Sequence, residues 1–468
     1  MEAGRKMADD SYQLIENLIN KYNTPVPRYT SYPTAVEFQH QFNEEDFFRA
    51  ISGMRPEKPV SIYIHIPFCE VRCHYCGCNV IISRRKDMID SYLDDLMKEI
   101  KYKLSFIKHQ PDVAQIHFGG GTPNFLRPSD WKRLILFIQN NFNILPGCEQ
   151  SIELDPMMMD RDYLLMLKNT GFNRVSFGLQ DVNEKTQVAV NRIQDMEKLN
   201  DLFNYARELE FSSINVDFIY GLPYQTLESY QKNIEWILKY RPDRIAMFSY
   251  AHLPQRMHHQ RNMDSETMPD ATEKLKIYLN VREKLQNNGY VAIGMDHYAL
   301  PADPLSVALQ EKSLHRNFMG YATQGDVDMI AFGPSAISHI GDVFAQNHVK
   351  LRAYEHSARE REKLFEKGYR MGGEDQMRNH LIQSIMNNLY VDIPRFEERW
   401  KISFWNHFAL EKNNLAHFTE EGLLLLSDSE IEVTETGRHV VRHIAAVFDE
   451  YRRKAADSSR EIRFSKGI

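Results

Sequence analysis

Four of the five cysteines fall within ten residues. They are Cys69, Cys73, Cys76 and Cys78, in the run Tyr63-Ile-His65-Ile-Pro67-Phe68-Cys69-Glu-Val-Arg-Cys73-His-Tyr75-Cys76-Gly-Cys78; the fifth, Cys148, stands alone in LPGCEQ. The spacing is C-x3-C-x2-C followed by C-x-C. Thiolates are the usual protein ligands of iron–sulfur clusters. Three of them on one loop can hold three irons of a 4Fe–4S cubane and leave the fourth iron open to a cofactor or substrate, whereas electron-transfer clusters take four. The alternative is zinc, which favours paired C-x2-C units with a second pair elsewhere. No second pair exists here, and Cys78 as a fourth zinc ligand would crowd positions 73, 76 and 78. The spacing therefore favours a cluster on Cys69, Cys73 and Cys76. Cys78 lies on a different heading from these three, and Cys148 reads as an incidental thiol.

Something must hold such a loop. From about residue 60 to 340, short apolar runs alternate with amphipathic stretches. SIYIHI (61–66), QIHFGGG (115–121), SIELDP (151–156), RVSFGLQ (174–180), INVDFIYGLP (214–223) and RIAMFSYAHLP (244–254) read as strands, rich in Val, Ile, Phe or Tyr and bounded by Gly, Pro or polar residues. Between them DSYLDDLMKEIKYKL (90–104), PSDWKRLILFIQNNF (128–142) and RDYLLMLKNTG (161–171) read as helices, the second with Ser129 or Asp130 placed to cap its start. Strands alternating with helices at this spacing predict parallel strands joined by right-handed crossovers. Polar residues and glycines gather at the strand ends, the active edge of β/α barrels. The expected fold class is α/β: an incomplete parallel β/α (TIM-like) barrel of about six units, over 46–365. Residues 1–45 lack the rhythm and read as an extended N-terminal arm. Residues 366–468 read as a mostly helical domain whose hairpin and helix resemble a winged helix. With no basic recognition helix, that module is expected to be scaffolding.

The bulk properties set the class. The chain has 468 residues, 43% of them apolar, with net charge −7 and pI near 6.2. That is ample for a core and more than one domain. The absence of a basic bias argues against nucleic acid as a partner. No apolar run reaches the ~18–20 residues of a membrane span, and the start lacks the apolar core of a secretory signal. The expectation is a cytoplasmic protein, with its clustered cysteines used for metal or redox chemistry rather than disulfides.

The cysteine loop following a strand resembles the signature of the radical S-adenosylmethionine enzymes. Its lead-in and Cys-Gly-Cys end resemble, more narrowly, the oxygen-independent coproporphyrinogen III oxidase (dehydrogenase) family. So do RYTSYPTA (28–35), HFGGGTP (117–123), GFNRVSFGLQD (171–181), VNRIQ (190–194), DFIYGLP (217–223), YAHLP (250–254), GMDHYA (294–299), LHRNFMGYATQGD (314–326) and SAIS (335–338). The resemblance runs from about residue 20 to 350, and weakly beyond.

The resemblance implies a radical oxidoreductase of haem biosynthesis. A 5′-deoxyadenosyl radical takes hydrogen from two propionate side chains of coproporphyrinogen III; loss of CO2 then leaves vinyl groups and gives protoporphyrinogen IX. It implies Cys69, Cys73, Cys76 and Glu153 as the catalytic set. It also implies two molecules of S-adenosylmethionine. Tyr63, Gly120, Glu153 and Ile337 would serve the first, with Gly119–Gly121 receiving its amino group on exposed backbone. Tyr75, Gly121, Thr122, Gln180, Arg192, Asp217 and Ala251 would serve the second, with Arg192 as a fork on a methionine carboxylate. The tetra-anionic substrate calls for basic residues, with Arg28, Arg463 and Lys466 as candidates. The implied partners are that substrate and a low-potential electron donor that the sequence does not name. A monomer is expected.

Three positions depart from the family's pattern. Met319 stands where a Gln is found, Met157 where an Arg is common, and Leu300 where a basic residue occurs; each bears on how the substrate lies. Two further readings compete. Haem chaperones related to this family keep the cluster without decarboxylating, but generally lack the final cysteine and the arm that are present here as Cys78 and residues 28–35. The other reading is a radical enzyme acting on a different tetrapyrrole.

Overall fold

The computed structural model describes residues 14–323, 325 and 327–457. Arg463 and Lys466 lie outside the described residues. Contacts divide the chain into two compact units: 38–288 with 326–370, and 1–37 with 289–325 and 371–468. The sequence pattern places 289–325 in the barrel and reads 1–45 as an arm of its own; the contacts group 289–325 and 1–37 with the C-terminal residues, and 38–45 with the barrel.

The first unit carries the six expected strand–helix pairs. The strands are β1 (Val60–Ile66), β2 (Asp112–Gly120), β3 (Asn143–Leu154), β4 (Arg174–Gln180), β5 (Ser213–Tyr220) and β6 (Arg244–Ser249). The helices that follow them are α1 (Asp87–Leu104), α2 (Pro128–Asn141), α3 (Arg161–Asn169), α4 (Met196–Glu208), α5 (Leu227–Tyr240) and α6 (Ala271–Asn287). All six strands pair in parallel, in chain order. A seventh parallel strand, β7 (Asp328–Phe332), pairs on the other side of β1. Beyond it β8 (Ile337–Ile340), β9 (Val343–Asn347) and β10 (Phe365–Arg370) continue antiparallel. Within this unit the order β10-β9-β8-β7-β1-β2-β3-β4-β5-β6 does not return on itself, so the barrel is incomplete.

Local chemistry sets the element ends. Asp160, Asp195, Thr226 and Asp270 cap α3, α4, α5 and α6, each accepting from a backbone N–H in the first turn. The start of α2 differs from the sequence expectation. Arg127 is its cap residue, and Asp130, at the third helical position, reaches back to accept from the Arg127 N–H at 2.8 Å; Ser129 takes no part. β3 begins at Asn143, eight residues ahead of the SIELDP run, so Cys148 sits buried within a strand. β5 is buried at seven of its eight positions, as a parallel strand covered on both faces should be, and the exception is Asp217.

A buried ionic node joins α1 to β7 and β9. Lys103 is fully buried and its Nζ lies 2.7 Å from Glu99. It also donates to the Ala331 carbonyl at 2.8 Å and to Asn347 at 3.2 Å. Glu99 in turn accepts from Gly333 N–H, Asn347 Nδ2 and Tyr354 Oη at 2.7–2.9 Å. A pair this deep holds only while both members and their hydrogen bonds are present.

In the second unit, Tyr29 and Tyr32 of the arm are buried in one apolar cluster with Leu381, Ile385, Phe404, Leu415, Ile431 and Phe448. Burial of two tyrosines is why the arm clusters with the C-terminal residues. The strands Leu424–Leu426 and Glu430–Val433 form the expected hairpin, extended by Tyr390–Asp392. Among the described residues no helix is long and apolar enough to cross a membrane.

Lys103→Met leaves the Glu99 carboxylate buried without its cation. The expected loss is about 3–5 kcal/mol of stability, read from denaturant melts of the full chain. A change below 1 kcal/mol would show that the node does not hold β7 to α1.

Candidate active site

Every strand of the barrel turns alternate residues inward, and in this chain the inward set is polar. Tyr63 pairs in register with His117, His117 with Ser151, Glu153 with Ser176, Ser176 with Asn215 and Gly178 with Asp217. The lower layer is closed by ion pairs. Glu149 accepts from Gln115 at 3.0 Å and from Arg174 at 2.8 Å, with buried Arg244 at 3.8 Å. Burial acts to raise the Glu149 carboxyl, yet Arg174 and Arg244 hold it at about 2. Above that floor, toward the strand ends, stand the residues singled out in the sequence.

The cysteine loop follows β1 and is fastened at several points. Phe68–Cys69 pairs in parallel with Ile81–Ile82, and the Ile81 N–H donates to the Pro67 carbonyl at 2.7 Å. His74 N–H donates to the Val190 carbonyl at 2.9 Å, Asn191 Nδ2 to Arg72 O at 3.0 Å, and His259 Nε2 meets Cys76 O at 2.7 Å. All the cysteines are free thiols, and Cys69, Cys73 and Cys76 are half-buried. Cys69 Sγ lies 3.2 Å from Thr122 Oγ1, Arg192 Nη1 points at Cys73 Sγ from 3.9 Å, and Cys78 N–H donates to Cys76 Sγ at 3.4 Å. Burial pushes the Cys69 thiol up to about 11 and raises Cys73, while hydrogen bonds from Cys78 bring Cys76 down to about 6.

These residues fit a cubane. The three thiols sit on one loop, within electrostatic reach of one another. Among the described residues no three His, Cys, Asp or Glu side chains gather round a single-ion position. Cubane ligands bind separate irons and have no need to do so.

The glycines after β2 serve the loop as well as any ligand. A Cβ on Gly121 would lie 2.8 Å from the Pro67 and Phe68 carbonyl oxygens, and one on Gly120 would lie 2.5 Å from the His65 ring. Gly120 also has φ +114°. Their N–H groups are engaged: Gly121 N–H donates to Ile66 O and Gly120 N–H to Glu153 Oε2, at 2.8 and 3.1 Å. The backbone expected to lie open to a ligand is thus bonded within the fold on its donor side.

Glu153 is aimed by that bond and by His117 Nε2 at 3.4 Å, whose other nitrogen meets Ser151 Oγ at 2.7 Å. Burial acts to raise its carboxyl, but His117 and the Gly120 N–H hold it below the usual carboxylate range. Its side chain is 44% exposed, so it can meet a ligand. Tyr63 Oη lies 3.0 Å from His65 Nδ1, and His65 Nε2 lies 2.9 Å from the Asn79 carbonyl. A carbonyl can only accept, so Nε2 carries the proton and Nδ1 accepts from Tyr63.

Arg192 departs from the expected fork. Its Nη1 is bonded to Asp155 Oδ2 and its Nη2 to the Gly178 carbonyl, both at 2.8 Å, while its buried Nε has no partner. Asp217 accepts from Asn215 Nδ2 at 2.7 Å and from Ser176 Oγ at 3.4 Å. Burial, and next the Glu153 charge, push its carboxyl up to about 7. Gln180 ends β4 with φ +71°. Tyr75 packs against Val190, Leu222, Tyr250 and Met263, and the Ala251 carbonyl lies 3.5 Å from Gln260 Nε2. Ile337 stands on β8 opposite Gln346, and β7 lies between β8 and β1. Met157 accepts the Asp195 N–H on its sulfur, at the start of α4.

Sequence reasoning passed over His65, His117, Ser151, Asp155 and Asn215. The signal was present: each alternates along its strand with apolar residues, or closes the Glu-Leu-Asp run, within motifs already quoted.

The Radical SAM superfamily model matches residues 63–237, and the HemN C-terminal domain model matches 373–440. The oxygen-independent coproporphyrinogen III oxidase of Escherichia coli (strain K12) is 42% identical over 439 residues, covering 94% of this chain and 96% of that one. The oxidase of the same description from Synechocystis sp. is 40% identical over 457 residues, covering 96% and 97%. The solved structure of coproporphyrinogen III oxidase (HemN) from Escherichia coli, a radical SAM enzyme, superimposes with a TM-score of 0.88 at 41% identity, over 90% of this chain and 97% of that one.

Asp217 gives a pH signature. Its carboxyl is raised in the fold, so the native state holds a proton that the unfolded chain gives up near the usual value of 3.8. The associated stability is present at low pH and is lost as pH rises to about 7. Asp217→Asn removes that loss. The variant is expected to be more stable than the parent by about 1–3 kcal/mol at pH 8 and near parity at pH 4, by urea melts at both. Equal differences at the two pH values would refute the shift.

Proposed function

The chain belongs to the oxygen-independent coproporphyrinogen III oxidase family of the radical SAM superfamily, and from that premise we propose that it converts two propionate side chains of coproporphyrinogen III to vinyl groups, giving protoporphyrinogen IX in haem biosynthesis. The observation that carries the reading is the three-thiol loop, clamped to the Gly120–Thr122 turn at the strand ends of the barrel.

Cys69, Cys73 and Cys76 would hold three irons of a 4Fe–4S cluster, leaving the fourth for S-adenosylmethionine. When bound, that pair supplies a one-electron cleavage and a carbon radical able to take hydrogen from a propionate. The chain's own residues bind and orient. Glu153, ionised and fixed by Gly120 N–H and His117, presents a carboxylate suited to a cationic amino group. Tyr63, donating to His65, offers a fixed ring face. Arg192, held by Asp155 and Gly178, keeps positive charge beside the Cys73 sulfur. The inward polar layers hold these groups in a site closed below by the Glu149 ion pairs, which limits water.

Two molecules of S-adenosylmethionine are part of this reading. The first would be met by Tyr63, Gly120, Glu153 and Ile337. The second would be met by Tyr75, Gly121, Thr122, Gln180, Arg192, Asp217 and Ala251, with Arg192 reached through its Nε. The electron donor is a low-potential carrier, and the protein acts as a cytoplasmic monomer.

The test is an anaerobic assay of reconstituted protein with a low-potential reductant, S-adenosylmethionine and coproporphyrinogen III, with products read by mass. Protoporphyrinogen IX with about two 5′-deoxyadenosines per turnover, one for each propionate, is expected. Cofactor cleavage without a porphyrin product would remove the substrate, and tight haem binding without cleavage would point to a chaperone.

A further inference from the structure

Three motifs of the sequence have no part in the site above: the arm's Arg28-Tyr-Thr-Ser, the Gly294-Met-Asp296-His297 run and Leu314-His-Arg316. They meet in the second unit. Arg316 Nη2 lies 3.6 Å from Asp296 Oδ2, and Arg28 Nη1 lies 3.9 Å from the same oxygen. The other oxygen of Asp296 meets His297 Nδ1 at 2.8 Å. Arg442 comes from the C-terminal segment. Its Nε donates to Pro27 O at 3.0 Å, and its Nη2 donates to Val26 O, beside Arg28.

The charges do not balance. Among the described residues, the guanidinium groups of Arg28 and Arg316 share one carboxylate, Asp296, with the Arg442 charge close by. Burial acts to raise that carboxyl, but Arg316, His297 and Arg28 hold it well below the usual range, so it is ionised. Burial, then Arg28 and Arg316, push Arg442 down to about 10. Arg316 is the under-satisfied member. Its side chain is 9% exposed, its Nε is buried with no partner, and its Nη1 reaches only Tyr321 Oη at 3.3 Å. Its Asp296 contact at 3.6 Å is longer than a hydrogen bond. A buried guanidinium held this loosely is costly unless an anion completes it.

The surrounding geometry is built for Arg316. Tyr321 lies under its guanidinium, 4.8 Å from ring centre to Cζ. That tyrosine's hydroxyl accepts from Met295 N–H at 3.0 Å, directly beside Gly294. A Cβ on Gly294 would overlap the hydroxyl at 1.9 Å, so only glycine admits Tyr321 there. Arg28, 37% exposed, is the wall that opens to solvent. On the same hairpin Met319 is apolar, so Arg316 is the cation that the turn has to offer.

We propose that Arg28 and Arg316, positioned by Asp296, Tyr321 and Arg442, form a carboxylate-binding pocket that anchors a propionate of the substrate. The assignment rests on the coproporphyrinogen reading above. A planar fork suits a carboxylate bidentately, and a substrate with four propionates keeps at least two of them anionic throughout. These are positioning residues; they hold the macrocycle and take no part in hydrogen transfer.

The test measures binding of coproporphyrin III, the stable oxidised form, to the anaerobic full chain by fluorescence quenching, alongside its tetramethyl ester, which lacks the anions. Arg28→Gln, at the exposed wall, and Arg316→Gln are each expected to weaken binding of the tetra-acid about tenfold or more and to leave ester binding unchanged. In turnover, KM for coproporphyrinogen III rises while 5′-deoxyadenosine formation without porphyrin is kept. Arg28→Lys is expected to recover part of the affinity, a readout that a purely structural role would not give. Unchanged tetra-acid binding by folded Arg28→Gln overturns the pocket, as does an equal loss for acid and ester. If the parent protein binds neither porphyrin, the substrate reading fails and takes the pocket with it. If the parent binds and turns over while the variants match it, only the pocket fails.

Discussion

The cysteine loop of the first unit depends on the passage of the Pro67–Phe68 backbone across Gly121. Carbonyl oxygens lie 2.8 Å from where a Cβ would stand, and the crossing is fixed by Gly121 N–H to Ile66 O and Thr122 N–H to Phe68 O. Cys69 then follows directly and is met by Thr122 Oγ1. The position of the first thiol is therefore set by backbone bonds between two adjacent parallel strands rather than by a side chain that could rotate. The rest of the loop inherits that anchor and is tied down further by Val190, Asn191 and His259 from the far strand ends. A loop that must present three thiolates to one cluster benefits from such over-determination, because affinity for a multi-ligand group falls when its ligands must be ordered on binding.

The interior charge pattern follows from the same strands. At the floor, Glu149 is paired with two arginines, which ties the layer together. One layer up, Glu153 and Asp217 face the interior with no arginine bonded to either; their partners are backbone N–H, histidine, amide and hydroxyl groups. Arg192, the nearby cation, is committed to Asp155 and to a carbonyl. The upper layer is thus net acidic and the second unit's arginine cluster net basic. The two sites suit ligands of opposite charge.

Much of this was legible in the sequence. The cysteine spacing named the chemistry, and six strands at a regular spacing named the barrel, because strands buried on both faces read as apolar runs. What stayed hidden has particular causes. β7, only five residues long, follows a stretch of turns and pairs with β1 across more than 260 positions of chain, so no local period announces it. The arm's place with the C-terminal residues depends on the burial of Tyr29 and Tyr32, and composition alone reads the segment only as an extended arm. Arg192 carried the right charge but its partner could not be foreseen: Asp155 lies 37 residues away and is brought in by the β3 turn. The inward polar layer was visible as alternation within the quoted strands, at His65, His117, Ser151 and Asn215, and went unread because each residue by itself resembles a satisfied core polar group.

That layer also bears on what binds there. Glu153 is ionised, and its charge is among the forces that keep Asp217 protonated near neutral pH. A cation placed between them would remove the repulsion and let Asp217 ionise, so binding of a positive group and release of the Asp217 proton are linked. S-adenosylmethionine brings two such groups, a sulfonium and an ammonium.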